Sequence, residues 1–193
     1  MAFNIDGFKT RFGSGVRPNL FKVIIPTATG IANPATEEEL SFLCKSAALP
    51  ESSHSSIEVP FRGRFLKVPG DRTYGSWTAT FFNDFKFKTR STFEQWINLI
   101  NKADANTGTL DHSKIFRDLQ VIQLTKDVTQ AGGPTDGENA TELRRYKLVG
   151  AWPSSVSQIS LGFDMNNQVE EFDVTFEYQY FTIPANGDLP EIN

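Results

Sequence analysis

Apolar and polar positions alternate along much of this chain, and a rhythm of two marks strands whose successive side chains point to opposite faces. In residues 76–82 (SWTATFF), Trp77, Ala79 and Phe81 share one face while Ser76, Thr78 and Thr80 share the other. Residues 169–182 extend the same pattern. There Phe172, Val174, Phe176, Tyr178 and Tyr180 lie on one side, and Glu171, Asp173, Thr175, Glu177 and Gln179 on the other. Shorter β-rich runs occupy residues 20–25 (LFKVII), 119–126, 143–152 and 157–163. Residues 40–49 (LSFLCKSAAL) form a further apolar stretch closed by Pro50, with Cys44 expected mid-strand. Residues 57–61 and 64–68 flank Arg62-Gly63, and two β-rich runs joined by so short a glycine turn predict a hairpin.

One segment keeps the helical period. Residues 92–102 place Phe93, Trp96, Ile97 and Ile100 on one face, and Ser91 with Glu94 has capping-box spacing. Loops are expected at 26–39 and 131–141, where Pro, Gly and Asn gather. Gly70 and Asp71 read as a turn before a strand, with the Arg72 guanidinium tying that turn to another segment. Residues 1–19 and 184–193 are polar and carry no periodicity. The sum is a single mainly β domain over 1–193, with an N-terminal arm (1–19), a projecting hairpin (57–68) and a C-terminal extension (184–193). About eight strands and one helix suit two packed antiparallel sheets, or a distorted β-barrel, with one flanking α-helix.

Composition narrows the function. With 39% hydrophobic residues and 17 Phe against 4 Tyr, the chain can fill one ring-rich core. Its 19 Lys plus Arg against 23 Asp plus Glu give a net charge of −4, which is not the basic footprint of a protein that grips a phosphate backbone. The single cysteine excludes an internal disulfide and fits a reducing compartment. The start has no apolar core of signal-peptide length, and no apolar run approaches the roughly 20 residues of a membrane span, so a soluble protein made without export is expected.

Candidate chemistry is sparse. His54 and His112 stand apart, and with one Cys they cannot supply the short-spaced ligands of a zinc site. Cys44, flanked by apolar residues, reads as a small hydrophobe rather than a nucleophile. Gly13, Gly15 and Gly132-Gly133 lack the strand–turn–helix context of a phosphate loop. Glu171, Asp173 and Glu177 have the i, i+2 spacing a glycosidase acid pair tolerates, but their aromatic neighbours occupy the opposite face. No catalytic, cofactor-binding or metal-binding residue is therefore expected. An acid-pair hydrolase on a β-sandwich and a monomeric binding module remain as competing classes.

Six spaced motifs carry a resemblance. RPNLF (17–21), FLCKxAALP (42–50), VPFRGR (59–64), VPGDRTYxxWTxTFFND (68–84), GAWPSSV (150–156) and LGFDMNNQVEEFDVTFEY (161–178) follow one another in family order. Together they resemble the tail tube proteins of contractile-tailed, T-even-like phages. The resemblance implies homo-hexameric rings stacked into a tube inside a contractile sheath, with neighbouring subunits joining strands into one barrel around the channel. It implies sheath, baseplate and tail-terminator proteins as partners, a tape-measure protein in the lumen, and DNA passing without specific binding. Neither catalysis, cofactor nor membrane is implied; the place is the virion tail, assembled in the host cytoplasm. The alternative the resemblance leaves is the tube subunit of a phage-derived contractile injection particle or bacteriocin. On this reading Glu171, Asp173, Glu177, Thr78 and Thr80 are the lumen candidates, because acidic and neutral polar groups let DNA pass. Phe61, Arg62, Arg64 and Phe65 at the hairpin tip, with Arg11, Phe12 and Arg17 of the N-terminal arm, are the candidates for contact between rings. Asp71 and Arg72 become an assembly tie, and residues 27–39 and 131–141 are extra loop material.

Overall fold

A computed structural model describes residues 4–12, 15–109, 111–125, 135–136 and 140–184. The strands are β1 (Phe21–Ile24), β2 (Cys44–Ala47), β3 (Ser52–Phe61), β4 (Arg64–Tyr74), β5 (Trp77–Phe82), β6 (Arg117–Thr125), β7 (Thr135–Asp136), β8 (Ala140–Val156), β9 (Glu171–Glu177) and β10 (Tyr180–Thr182). The helices are α1 (Ile5–Phe12), α2 (Glu37–Leu43), α3 (Lys88–Ile100) and α4 (His112–Ile115). Antiparallel pairing gives the path β1-β6-β8-β9-β5-β2, with β7 and β10 also on β8, while β3 and β4 form a separate hairpin.

Strand β8 is the joint of the molecule. Its earlier part pairs with β6 as far as Arg117↔Ala151, and its later part pairs with β9 from Trp152↔Glu177 onward. The switch falls at Gly150, whose φ of +64° is a backbone state that suits a residue without Cβ. The ladder bulges there, and the Gly150 N–H donates to Asp118 Oδ1 at 3.0 Å. Two antiparallel sheets thus share one strand, as expected. They do not close into a barrel, because the path ends at β1 and β2.

The inward faces of both sheets meet α3 in one core. Val23, Leu119, Val121 and Leu148 come from one sheet; Trp77, Phe81, Phe172, Val174 and Phe176 come from the other. Helix α3 adds Phe93 and Trp96, whose rings stand edge-on to Phe176 with centroids 5.9 and 6.3 Å apart. Edge-to-face rings of this kind add about 0.5–1.5 kcal/mol per pair beyond their area burial. Trp96 also donates its indole N–H to the Ile115 carbonyl at 2.9 Å, which holds α4 against the helix.

Several elements differ from the sequence-based expectation. Residues 40–43 are helical, not strand, because Thr36 Oγ1 accepts the Glu39 N–H and Glu39 Oε2 accepts the Thr36 N–H. That capping box starts α2 inside the stretch expected as a loop, so Cys44 opens β2 rather than lying mid-strand. Helix α3 begins at Lys88, ahead of the expected start, since Asp84 accepts the N–H groups of Lys88 and Thr89 at 3.1 and 2.8 Å. Ser91 and Glu94 make no cap; Ser91 accepts from Gln95, and Glu94 pairs with Arg90 at 2.7 Å.

Residues 157–163 form no strand. The Ser157 and Asp173 backbones and the Ser157 hydroxyl bond one another, which ends the β8–β9 ladder at this point. The expected strand 169–182 breaks after Glu177, where the Gln179 N–H donates to the Val149 carbonyl. Strand β10 then pairs with β8, and Tyr180 is exposed instead of sharing the buried face of Phe176 and Tyr178. Residues 5–12 of the N-terminal arm are helical. Of the loop 131–141, Thr135–Asp136 pairs with Thr141 and Ala140, and the rest up to 139 lies outside the described residues, as do 185–193.

Candidate functional site

The two polar strand faces picked out from sequence are one surface. Strands β5 and β9 pair with Thr78 opposite Thr175 and Thr80 opposite Asp173. Thr80 Oγ1 donates to Asp173 Oδ1 at 2.7 Å, and the hydroxyls of Thr78 and Thr175 lie 3.2 Å apart. Lys45 of β2 forms an ion pair with Glu171, and Glu177 sits opposite Trp152 of β8. The reverse side of these strands is the buried core, so the outward direction of all five predicted residues is fixed. Three carboxylates against one lysine leave the surface net negative. Glu171 is tied to Lys45 and Asp173 to Thr80, an arrangement that makes a hydrogen-bonded polar wall rather than two carboxyls in contrasting surroundings.

The hairpin is longer than predicted, running from Ser52↔Tyr74 to Phe61↔Arg64. Every residue from 52 to 69 is exposed, so the hairpin stands clear of the body; a ladder of this length reaches about 30 Å. Register puts Ile57 opposite Val68 and Val59 opposite Leu66, with Phe61 next on the same face. These five apolar side chains form a stripe without a partner among the described residues. The other face carries Pro60, Phe65 and the ion pair Glu58–Lys67 at 3.6 Å. At the tip Arg62 takes a left-handed φ of 45° and lies over the Phe61 ring, 5.5 Å from its centroid. The hairpin root is pinned: Tyr74 packs against Tyr178 and Phe181, and the Tyr178 hydroxyl donates to the Glu51 carbonyl.

The turn expected at Gly70 and Asp71, ahead of Arg72, is corrected. These residues lie inside β4, not in a turn, opposite a register shift between His54 and Ser56. A Cβ on Gly70 would meet the Ser55 hydroxyl at 2.3 Å and the Ser55 carbonyl at 3.1 Å, so a larger residue in this bulge would have to turn the Ser55 side chain aside. Arg72 Nε donates to His54 Nε2 at 3.3 Å, which makes the arginine a tie within its own hairpin.

In the N-terminal arm, Phe8 and Phe12 stack at 5.2 Å on α1 and are exposed together with Ile5. Arg11 lies on the same helix, with its side chain outside the described residues. The Arg17 carbonyl accepts from Gln123 Nε2 at 2.9 Å, which fastens the arm to β6 while the Arg17 side chain stays exposed. The hairpin strands β3 and β4 form their own two-stranded sheet and α1 lies in the arm, so the predicted residues divide among three parts of the fold.

Sequence reading missed a fourth surface. Residues 158–163, 165 and 167–171, with Phe82, line an open groove of about 1070 Å³. Leu161, Phe163, Met165 and Val169 are exposed along it; Glu170 gives its lining negative charge, Glu171 is shared with the edge of the polar wall, and Asp164 lies in the same segment outside the lining. The signal was present in the apolar residues of 157–163, which alternate as a strand would but find no strand to pair with.

Burial pushes the Cys44 thiol up to about 12, and its Sγ lies 3.6 Å from the Ser46 carbonyl. The thiolate needed for nucleophilic chemistry is thereby disfavoured. Among the described residues no three His, Cys, Asp or Glu side chains gather closely enough to hold a metal ion.

Comparison with known proteins points one way. The family model described as "Phage tail tube protein" matches residues 16–184. The chain is 29% identical over 180 residues to tail tube protein gp19 of Enterobacteria phage T4, covering 92% of this chain and 98% of that one. It is 25% identical over 177 residues to the tail tube protein of Serratia phage KSP90, covering 91% of each. Among solved structures, a chain of the extracellular contractile injection system PVC sheath-tube complex, in the extended state, is similar at TM-score 0.54 and 16% identity. That match covers 95% of this chain and 99% of the other, and it bears on the fold alone.

Proposed function

The chain belongs to the phage tail tube protein family, and from that premise we propose that its copies close into hexameric rings stacked as a hollow tube. It is a structural subunit of the tail tube and not an enzyme. The observation that carries the ring is the open sheet path, with β1 and β2 left as unpaired edges among the described residues. An open edge is a template for another chain, and a heterologous contact whose rotation closes consumes every lateral edge. Joining such edges around a ring makes the barrel that one chain does not close by itself.

The polar wall of Glu171, Asp173, Glu177, Thr78 and Thr80 then faces the channel, where net negative charge keeps DNA moving instead of binding it. The hairpin and the N-terminal arm, both with exposed apolar residues, serve contacts between stacked rings. Sheath, baseplate, tail-terminator and tape-measure proteins are the partners such a tube requires, in a virion tail assembled in the host cytoplasm. Electron microscopy of the purified protein tests the reading. Rings or hollow tubes of uniform diameter with six subunits around are expected; a protein that stays monomeric under all assembly conditions, or rings of another order, would overturn it.

A further inference from the structure

The hairpin and the groove sit at opposite ends of one strand pair. Strand β4 ends at Tyr74 beside the Trp77↔Phe176 end of β5 and β9, whereas the groove borders the Phe82↔Glu171 end. Five residue steps of strand, about 17 Å, separate those ends. Each surface has what the other lacks. The hairpin carries the apolar stripe Ile57, Val59, Phe61, Leu66 and Val68, and at its tip Arg62 and Arg64. Residues 157–171 contain Asp164, Glu170 and Glu171 and no Lys or Arg, alongside four exposed apolar side chains. Among the described residues, Arg62, Arg64, Asp164 and Glu170 form no ion pair.

We infer that the hairpin of one copy seats its apolar stripe in the groove that the 158–171 segment and Phe82 line on a second copy, with Arg62 and Arg64 meeting Glu170 in the lining and Asp164 beside it. The placement at opposite ends makes the contact head-to-tail, so every copy offers one arm and one receptor. A heterologous contact whose rotation does not close propagates along an axis, as stacking of rings requires. Burying five apolar side chains supplies the attraction, and the charges set register and exclude the wrong end. The inference rests on the tube reading and adds to it the receptor for the arm.

The test uses the full chain under conditions where the wild type forms tubes. A Phe61→Cys, Phe163→Cys double variant is oxidised in preformed assemblies; buried Cys44 supplies little competing thiolate. Disulfide-linked dimers, trimers and higher multimers on non-reducing gels are expected, with no ladder from either single variant. In parallel, Arg62→Glu with Arg64→Glu should reduce stacked tubes at least tenfold relative to separate rings, as should Asp164→Lys with Glu170→Lys. Combining all four substitutions should restore stacking. If the wild type forms tubes but no ladder appears and the fourfold variant fails to stack, the groove is not the receptor, while the tube reading stands. If the wild type forms neither rings nor tubes, both fall.

Discussion

Thr80 Oγ1 donates to Asp173 Oδ1 across 2.7 Å, joining two strands on the side of the sheet away from the core. The bond holds a carboxylate on an open surface, with no ion pair to cancel it among the described residues. Converting Glu171 and Asp173 together to Lys should therefore change the wall's charge more than its fold. One net hydrogen bond of about 0.5–1.5 kcal/mol and an exposed ion pair are lost, and the core beneath is untouched. Tubes of unchanged diameter are expected, with DNA ejection slowed several-fold in a fluorescence release assay. Normal ejection kinetics would move the channel to another face.

Helix α3 depends on Asp84 for its start. Burial works to raise the Asp84 carboxyl, but the N–H donors of Thr89 and Lys88 outweigh it and hold it below its ordinary value of 3.8. Asp84→Ala should cost about 1–2 kcal/mol at neutral pH in urea titrations. The sign with pH follows from a depressed folded-state value. Its contribution is full above about pH 4 and is lost as pH falls through the lower folded value. The stability gap between wild type and variant should narrow in that window; a gap that persists in stronger acid would assign the cap elsewhere.

Gly150→Ala places a side chain in the left-handed region and brings its Cβ 3.1 Å from Gln179 Cγ. A loss of about 1–2 kcal/mol is expected in denaturant titration. Gly63→Ala makes a useful comparison, because its φ of +83° carries similar strain with no neighbour within 4 Å.

Phe176 touches Trp77, Phe93 and Trp96, so its removal opens the centre of the core. Phe176→Ala should destabilise by about 3–5 kcal/mol, measured by thermal or chemical unfolding. A loss under 1 kcal/mol would mean that the two sheets pack elsewhere.

Cys44 should stay unmodified by thiol reagents at about pH 8 in the folded protein and react on unfolding, since burial disfavours its thiolate. Rapid native-state labelling would contradict its burial.

Legibility tracked how far local pattern and tertiary burial agreed. Strands β5 and β9 alternate cleanly because one side of each is core, and α3 shows Phe93 and Trp96 on one face for the same reason. Helix α2 was hidden because Thr36 and Glu39, which start it, lie among loop-forming residues, and only Leu40 is buried. The lower hairpin was hidden because Ser52 to Ser56 are polar and exposed on both faces; pairing, not burial, makes them strand. Residues 157–163 failed in the opposite direction, since their alternation meets no neighbouring strand. The division of site residues among separate surfaces depends on register, which periodicity alone does not give. Register is also what merged the Thr78 and Glu171 faces into one wall.

Strand β8 has a mechanical meaning. One unbroken backbone runs through both sheets and turns at Gly150, so the sheets are joined covalently as well as by their core. A pull on β6 is passed to β9 along peptide bonds, and sliding one sheet past the other must first straighten that bend. Each subunit can therefore carry load from its edge strands to its hairpin root as a single member.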